Sequence, residues 1–233
     1  VGNDVGAACL EVTFGGLSMR ADSDVVLALT GARCADVPHD AVFALRPGAT
    51  LRLTAPVSGL RTYVAVRGGI VVPEVLGSRS TDIMAGLGPA AVSAGDVLPV
   101  GPAPAAFPTV DVAPVPEPEP GDVTVRVAPG PRDSWFTDEA WSTLLHEGYA
   151  VTSESNRIGI RLDGPALERV HSLELPSEGM ARGALQVPPS GKPVLFLADH
   201  PVTGGYPVVA YVYDDDVDRC GQLQPGQRVH FRR

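Results

Sequence analysis

The feature that most constrains the fold is a long series of short apolar or alternating runs, each closed by a turn-forming residue. With 26 glycines and 23 prolines among 233 residues, turns are too frequent for long helices. Short runs of this kind, bounded by Gly, Pro, Asp or Asn, are typical of strands. Strands are predicted at residues 8–14, 25–29, 41–45, 51–54, 62–66, 123–127, 158–162, 194–197, 208–213 and 228–231. The sequence therefore predicts a mainly β chain.

A small turn motif recurs three times, at residues 47–51, 94–98 and 225–229. Each copy places a glycine-containing turn just before a predicted strand. Glycine supplies the positive φ that a type II turn requires at its third position. The motif predicts three tight turns that lead into strands, as expected of barrels with sharp corners.

One helix is predicted, between Thr137 and Gly148. Thr137 can cap its first turn, Asp138 and Glu139 favour the positive end of its dipole, and Gly148 can end it. The apolar residues of this segment share one face, which we expect to pack in the core. They are Ala140, Trp141, Leu144 and Leu145.

A proline-rich stretch divides the sequence. Seven prolines lie between residues 102 and 121, ending in a Pro-Glu-Pro-Glu-Pro run. Proline fixes φ and lacks an amide donor, so this stretch is predicted to be an extended, semi-rigid connector. We therefore predict two β-rich lobes, residues 1–101 and 122–233, joined by residues 102–121.

Charge and composition exclude several classes of function. The net charge of −9 and a pI near 4.9 argue against nucleic-acid binding, which needs clustered Lys and Arg. No uncharged apolar run is long enough to span a bilayer. The three cysteines and five histidines lack ligand spacing, so no metal site and no disulfide framework are predicted. Reduced, buried thiols in a cytoplasmic protein are the expected state.

No standard catalytic signature such as a Walker loop, GxSxG or HExxH is present. Three polar, glycine-rich segments nevertheless stand out from the apolar strands. The first, residues 67–82, holds Arg79, Ser80 and Asp82 in a loop after a strand. Such a loop can bind an anion through side chains and amides, or it can be a turn that bonds to itself. The sequence alone leaves both interpretations open.

The second segment, residues 153–159, contains Asn156 and Arg157. Asn156 could bond a substrate carbonyl or amide while Arg157 balances negative charge. The alternative is a plain turn with an arginine–glutamate surface pair, which contributes little energy.

The third segment runs from residue 175 to residue 207. Glu178, Gln186 and Asp199 flank its strands, and a carboxylate here could act as a general base or hold a metal-bound nucleotide. The turn that ends with Gly204, Gly205 and Tyr206 would let a ligand approach the backbone closely. An ordinary β-hairpin is the alternative.

Taken in order, these segments resemble a known bacterial family. The matching stretches are TYVAVRGGIVVPEVLGSRSTD, SNRIGIRLDGPAL and LPSEGMARGALQVPPSGKPVLFLADHPVTGGYPVVA, together with VGNDVGAACLEVTFGG and PGPRDSWF. The family is variously called 5-oxoprolinase C subunit, KipA, allophanate hydrolase subunit 2 or biotin-dependent carboxyltransferase family protein. Its members usually carry several tens of residues upstream of the VGND stretch, so we expect that a preceding segment is missing or is supplied by another piece.

The resemblance implies two β lobes with a cyclophilin-like barrel and an enzyme that works only as a complex. Its implied partners are a KipI-like protein and a LamB/YcsF-like protein. The implied reaction is hydrolysis of a cyclic amide, 5-oxo-L-proline, to L-glutamate, driven by ATP with Mg²⁺. Glu178, Gln186 and Asp199 are then the candidate catalytic residues. Candidates for binding substrate or nucleotide are Arg79, Ser80, Asp82, Asn156, Arg157, Gly204, Gly205 and Tyr206.

The same resemblance leaves two other functions open. A KipA-type member would be a non-enzymatic regulator that antagonises an inhibitor of a histidine kinase. A carboxyltransferase lobe, as in an allophanate or urea carboxylase system, would use biotin. The only lysine, Lys192, follows Ser190 and Gly191 and lacks a biotinyl-lysine context, so the biotin would arrive on another protein.

Overall fold

The computed structural model describes residues 1–171, 173 and 175–233. The chain divides into two compact units, Val1–Pro118 and Glu119–Arg233, here called the first unit and the barrel unit. The division falls within the stretch that is predicted to be a connector. The lobe boundaries 1–101 and 122–233 themselves stay predictions.

The first unit is an open antiparallel structure. Its strands are β1 (Leu10–Thr13), β2 (Ser18–Arg20), β3 (Val25–Arg33), β4 (Val42–Leu45), β5 (Thr50–Arg52) and β6 (Ser58–Val66). Four of them form a sheet in the order β1-β6-β3-β4, and β2 pairs with β5. Alternation along β3 and β6 sends Leu27, Leu29 and Val64 into a core with Leu51 and Leu53.

Residues 67–118 of the first unit form no regular strand or helix and are held by isolated bonds. The Arg67 guanidinium donates to the carbonyls of Val1 (2.6 Å) and Ala106 (2.9 Å) and lies 3.7 Å from the centre of the Phe107 ring. Farther along, the Ala113 amide donates to the Asp40 carbonyl at 2.7 Å. The proline-rich stretch up to Pro118 is therefore packed on the first unit rather than free.

The barrel unit contains the remaining strands and both α-helices. The strands are β7 (Val123–Pro129), β8 (Gly148–Val151), β9 (Gly159–Asp163), β10 (Glu178–Gly179), β11 (Ala184–Gln186), β12 (Val194–Phe196), β13 (Thr203–Gly204), β14 (Val208–Val212) and β15 (Arg228–Arg232). The helices are α1 (Asp138–His146) and α2 (Asp214–Cys220), and a short 3-10 helix covers Asp133–Trp135.

Seven of these strands close into a barrel in the order β11-β12-β9-β8-β15-β7-β14. All neighbours are antiparallel except β15 and β7. The interior is filled by inward-facing strand residues such as Val125, Ile160, Leu185, Leu195 and Phe231. The mainly β fold predicted from the punctuated runs is confirmed, and so is the presence of a barrel, which the family resemblance implies.

Each of the ten predicted strand runs coincides with an observed strand. The sequence does not predict the short strands β2, β8, β10, β11 and β13, because strands of two to four residues are too brief to show a period. All three glycine turns form, with positive φ at Gly48, Gly95 and Gly226. The expected strand after Gly95 does not: Val97 and Leu98 lie outside any strand.

The predicted helix is confirmed as α1. The Thr137 hydroxyl accepts from the Ala140 amide, as a capping residue should, and Ala140 and Leu144 are buried. The helix ends because Glu147 turns to extended backbone, so Gly148 begins β8 rather than forming a left-handed cap. The helix α2 is not predicted, since an acidic heptapeptide with two apolar residues carries no helical stripe.

All three cysteines are free thiols, as expected, but Cys9 is exposed and the expectation that every thiol is buried is wrong. Cys9 directly precedes β1, outside any strand. Among the described residues, no helix combines the length and the apolar character needed to cross a bilayer.

Candidate functional site

A cleft of about 260 Å³ opens on the outer surface of the barrel, over β9, β11 and β12. Strand alternation explains its position: Ile160, Leu185 and Leu195 point into the core, so their neighbours point outward. The cleft is therefore built on rigid strands. Its lining residues are Glu154, Asn156, Ile158, Gly159, Arg161, Gln186, Pro188, Val194, Phe196 and Tyr206.

The floor of the cleft is apolar. Ala184, Phe196 and Val208 form a small buried cluster outside the barrel core, against which Ile158 and Val194 pack. Phe196 is only 7% exposed and offers a flat aromatic surface. A ligand in this cleft would therefore rest on apolar side chains and reach polar groups at the sides.

Gln186 forms one polar side of the cleft. It lies at the end of β11, where the pairing with β14 shifts by a residue between Leu185 and Gln186, and such bulges re-aim side chains. Its amide nitrogen donates to the Tyr206 carbonyl at 3.1 Å. Within the described chain no group donates to the side-chain oxygen of Gln186, which leaves that oxygen as an acceptor.

Gly204 makes room for the Gln186 carboxamide. Any Cβ at Gly204 would lie 2.6 Å from the Gln186 amide nitrogen and 3.2 Å from Cγ of Met180. Gly204 belongs to β13, which pairs with β10 beside the cleft. Glycine is thus needed here for space rather than for an unusual φ.

Asn156 forms the complementary polar side. Its side-chain oxygen accepts from the amides of Ile158 (2.8 Å) and Gly159 (3.3 Å), in a turn that leads into β9. These two bonds fix the orientation of the carboxamide, so its NH₂ group is the end that can donate. No described residue accepts from that group.

Arg157 and Asp199 form an ion pair next to Asn156. Nε of Arg157 lies 3.0 Å from Oδ2 of Asp199, and the Asp199 amide donates to the Arg157 carbonyl at 3.1 Å. Glu154 of the same segment forms a surface pair with Arg161, the kind of arginine–glutamate pair that was the alternative for this segment. The Arg157–Asp199 pair ties the loop after β12 to the loop before β9.

Glu178 is held by an arginine that the sequence does not single out. Nε of Arg132 donates to Oε2 of Glu178 at 3.2 Å, and its terminal nitrogen bonds the other oxygen. This fork from Arg132 lowers the pKa of Glu178. The carboxylate is therefore ionised at neutral pH and engaged by a cation, which suits positioning better than proton transfer.

The rim carries a pair of opposite charges. Nε of Arg161, an outward residue of β9, lies 3.6 Å from Oε2 of Glu154. Both side chains are mostly exposed, at 58% and 76%. The pair sits at the mouth of the cleft and is in contact with solvent.

Three predicted residues lie on the first unit. Arg79 pairs with Glu74 at 2.7 Å and donates to the Gly6 carbonyl at 2.8 Å. Asp82 accepts from the amides of Met84 and Ala85, both at 2.9 Å, and the Ser80 amide donates to Ser78. The loop bonds largely to itself, as one of its two interpretations proposed. That it joins the cleft residues in one site stays a prediction.

Of the eight predicted residues on the barrel unit, Asn156, Gln186 and Tyr206 line the cleft directly. Gly204 and Gly205 shape the turn beside Gln186, and Glu178 pairs with Gly204 across β10 and β13. Sequence reasoning missed Arg161 and the apolar floor. The signal was available for Arg161, because alternation along β9 places it on the same outward face as Gly159.

The donor set also limits which cofactor this cleft can take. Among the described residues, no three His, Cys, Asp or Glu side chains come close enough to hold a metal ion. The cleft has one arginine at its rim and neutral carboxamides inside, whereas a triphosphate with its Mg²⁺ needs several cations and carboxylates. The cleft residues therefore do not fit ATP with Mg²⁺, and no step on ATP is assigned to them.

Comparison with known proteins places this architecture in a family. Residues 1–233 match the family described as carboxyltransferase domain, subdomain A and B. The chain is 36% identical over 240 residues to the 5-oxoprolinase C subunit of Escherichia coli, covering 99% of this chain and 76% of that protein. These matches confirm the family that the three polar segments suggest.

Solved structures agree with the sequence comparison. The crystal structure of TTHA0988 superposes with a TM-score of 0.84 at 35% identity, covering all of this chain and 46% of that one. The urea amidolyase of Kluyveromyces lactis gives a TM-score of 0.89 at 28% identity over 99% of this chain and 16% of its own length. The chain thus spans less than half of either solved protein.

Proposed function

This chain belongs to the family of carboxyltransferase domains with subdomains A and B, and we propose that its cleft binds the lactam of 5-oxo-L-proline within an ATP-dependent 5-oxoprolinase. The name of the E. coli relative, which makes it one component of that enzyme, supports this assignment. The proposed partners are a KipI-like protein and a LamB/YcsF-like protein. The proposed compartment is the cytoplasm, where ATP is available.

The observation that carries the proposal is the pair of oriented carboxamides. The Gln186 NH₂ donates to the Tyr206 carbonyl, which leaves the side-chain oxygen of Gln186 as an acceptor. The Asn156 oxygen accepts from two backbone amides, which leaves its NH₂ as a donor. A lactam ring holds its amide cis, so its N–H and C=O lie on one edge. One acceptor and one donor are the complement of that edge.

The cleft residues would bind and orient the ring. The apolar floor around Phe196 takes the ring carbons, and the Asn156 NH₂ donates to the lactam oxygen. A donor on that oxygen favours build-up of negative charge there when water attacks the carbonyl carbon. The C–N bond then breaks, the nitrogen takes a proton, and L-glutamate forms. ATP hydrolysis, which drives this step in the assembled enzyme, is assigned to the partners.

The test is reconstitution. The chain co-expressed with both partner proteins should convert 5-oxoproline to glutamate only when ATP and Mg²⁺ are present. Asn156→Asp keeps the acceptor for Ile158 and Gly159 but loses the NH₂ donor, so we expect turnover to fall at least about tenfold. Unchanged turnover in this variant would remove the cleft from the reaction.

Asp199→Ala extends the same assay. Removing the carboxylate that holds Arg157 should abolish glutamate formation, while gel filtration shows the complex intact. Retained turnover would exclude Asp199 from the site. Loss of the complex itself would mean instead that the Arg157–Asp199 pair serves assembly.

A carboxyltransferase using biotin is the second candidate, because the cyclic urea of biotin presents the same cis N–H and C=O edge. The urea amidolyase of Saccharomyces cerevisiae, 28% identical over 99% of this chain, supports it. Free biotin and 5-oxoproline titrated into the same protein separate the two. Binding of biotin alone, with no glutamate formed by the complex, would favour the carboxyltransferase.

A further inference from the structure

We propose that Arg161 selects lactams that carry a carboxylate, and that Glu154 occupies its guanidinium while the cleft is empty. This inference rests on the proposed function and names the residue that sets its substrate class. Among the described residues that line the cleft, Arg161 is the one cation and Glu154 is the one anion. The Arg161 guanidinium is therefore the group of this lining that can bind an anion, and Glu154 competes with a ligand for it.

The backbone of Arg161 is fixed, although its guanidinium is exposed to solvent. Its backbone belongs to β9: the Arg161 amide donates to Oγ of Ser155 at 3.1 Å, and its carbonyl accepts from the Thr152 amide at 2.9 Å. In β12, Val194 pairs with Arg161, and Val194 lines the same cleft. The guanidinium thus extends from the rigid wall of the cleft at its mouth.

The contact with Glu154 is weak enough to be exchanged. A separation of 3.6 Å between Nε and Oε2 is longer than a hydrogen bond, and both side chains are largely exposed. Exposed pairs of this kind contribute little free energy. A carboxylate fixed on the ring of a bound lactam could instead form a two-pronged bond with the guanidinium, which is considerably stronger.

The chemistry discriminates between lactams. A neutral lactam would satisfy Asn156 and Gln186 but leave the Arg161–Glu154 pair unchanged. A lactam with a carboxylate next to the ring nitrogen would add a charged contact, opposed by repulsion from Glu154. Selectivity for the acid should therefore depend on residue 161 and increase when the charge at residue 154 is removed.

The test is calorimetric titration of the whole chain with three probes: 5-oxoproline, the neutral lactam 2-pyrrolidinone and inorganic phosphate. We expect wild-type protein to bind 5-oxoproline about tenfold more tightly than 2-pyrrolidinone. Arg161→Gln should weaken the binding of 5-oxoproline but not that of 2-pyrrolidinone, so that the two affinities become similar. Glu154→Gln should strengthen 5-oxoproline binding about two- to fivefold and leave 2-pyrrolidinone unchanged.

Arg232→Gln is the matched control, because it removes the same charge from an exposed arginine of β15 outside the cleft lining. It should leave all three affinities as in wild type. If Arg232→Gln and Arg161→Gln weakened 5-oxoproline binding equally, Arg161 would act only through its positive charge, which reduces the repulsion of anions by a chain of net charge −9.

The outcomes separate this inference from the proposed function. Binding of both lactams with no change in Arg161→Gln would overturn the role of Arg161 and leave the lactam cleft standing. Failure of both lactams to bind would overturn the proposed function and this inference together. If Arg161→Gln abolishes phosphate binding while wild-type protein does not prefer 5-oxoproline to 2-pyrrolidinone, the group that Arg161 binds is a phosphoryl group and not a carboxylate.

Discussion

The two units of this chain differ in how completely they bury their apolar side chains. The barrel unit closes its sheet on itself, and its core includes fully buried Leu185, Leu195 and Tyr149. The first unit keeps an open sheet and follows it with an irregular stretch in which many large apolar side chains remain exposed. They are Val71, Leu76, Ile83, Met84, Leu87, Val92, Val97, Val100, Phe107, Val110, Val112 and Val115.

The difference shows why the cleft lies where it does. Closure removes sheet edges and fixes each strand from both sides, so outward side chains of β9, β11 and β12 are held on a rigid wall. The irregular stretch of the first unit has no such support. We therefore expect the barrel unit to carry the ligand geometry, while the first unit has apolar surface available for contacts.

The two units also treat buried carboxylates differently. Asp216 in α2 accepts from the amide and Nε of Arg126, at 2.8 and 2.9 Å, and from Arg219 at 2.9 Å. Asp40 in the first unit pairs with Arg33 at 2.7 Å, but its Oδ1 has no hydrogen-bond partner among the described residues. Asp216 is therefore more completely hydrogen-bonded than Asp40.

The largest effect should come from the closed core. Leu195→Ala empties a fully buried site in β12 and should lower the free energy of unfolding by about 2–5 kcal/mol. Both tryptophans, Trp135 and Trp141, lie in the barrel unit, so their fluorescence during urea unfolding reports this unit alone. Leu173→Ala, the same change at a 67% exposed site, should stay within about 0.5 kcal/mol.

The second effect concerns Asp216. Burial acts to raise its pKa, but the hydrogen bonds from Arg126 and Arg219 outweigh burial and lower the pKa to about 2. A carboxyl group with a lowered pKa stabilises the fold at pH values above its unfolded-state pKa of about 4, and this contribution is lost as the pH falls through the folded-state pKa. Asp216→Asn should cost about 2 kcal/mol at pH 7.

Acid titrations of the two proteins check this assignment. Between about pH 4 and pH 2 the wild-type barrel unit should lose stability more steeply than Asp216→Asn, followed by tryptophan fluorescence. Parallel curves would show that the carboxylate is not the source of the acid sensitivity in this window.

The third effect is on binding rather than folding. Gly204→Ala places a Cβ 2.6 Å from the Gln186 amide nitrogen, so Gln186 must move and its bond to Tyr206 is lost. We expect 5-oxoproline affinity to fall about tenfold while stability changes little. Gly179→Ala is the matched control, because its Cβ would meet nothing within 4 Å in the same two-stranded ladder.

The smallest effect should be at Asp40. Arg33 keeps a second carboxylate, Glu117, at 3.4 Å, so Asp40→Asn does not leave the guanidinium without a counter-charge. We expect a loss of about 1 kcal/mol, less than for Asp216→Asn, measured as faster amide exchange in β3 and β6. A loss larger than that of Asp216→Asn would reverse the comparison between the two units.

Sequence reasoning identified the elements that local patterns determine. Runs such as residues 123–127 alternate clearly, and Thr137 followed by two acidic residues marks a helix start, so β7 and α1 were predictable. The helix α2 was not, because it is stabilised by Asp216 bonding to Arg126 across 90 residues of sequence. Contacts of that range leave no local pattern.

The same distinction applies to the site. Polar, glycine-rich segments predict Asn156, Gln186 and Tyr206, and all three line the cleft. Their orientation was not predictable, since it depends on which backbone groups each carboxamide bonds. Arg132 was missed as the partner of Glu178 because the two are 46 positions apart.

The central claim is that two oriented carboxamides recognise the cis-amide edge of a lactam. Calorimetric titration of the chain with 5-oxoproline and with its N-methyl derivative tests this most directly, because methylation replaces the N–H from which the Gln186 oxygen would accept. We predict binding of 5-oxoproline at least about tenfold tighter than the methylated form, with this preference reduced in Gln186→Met. Equal affinity for the two compounds in wild-type protein would contradict the account.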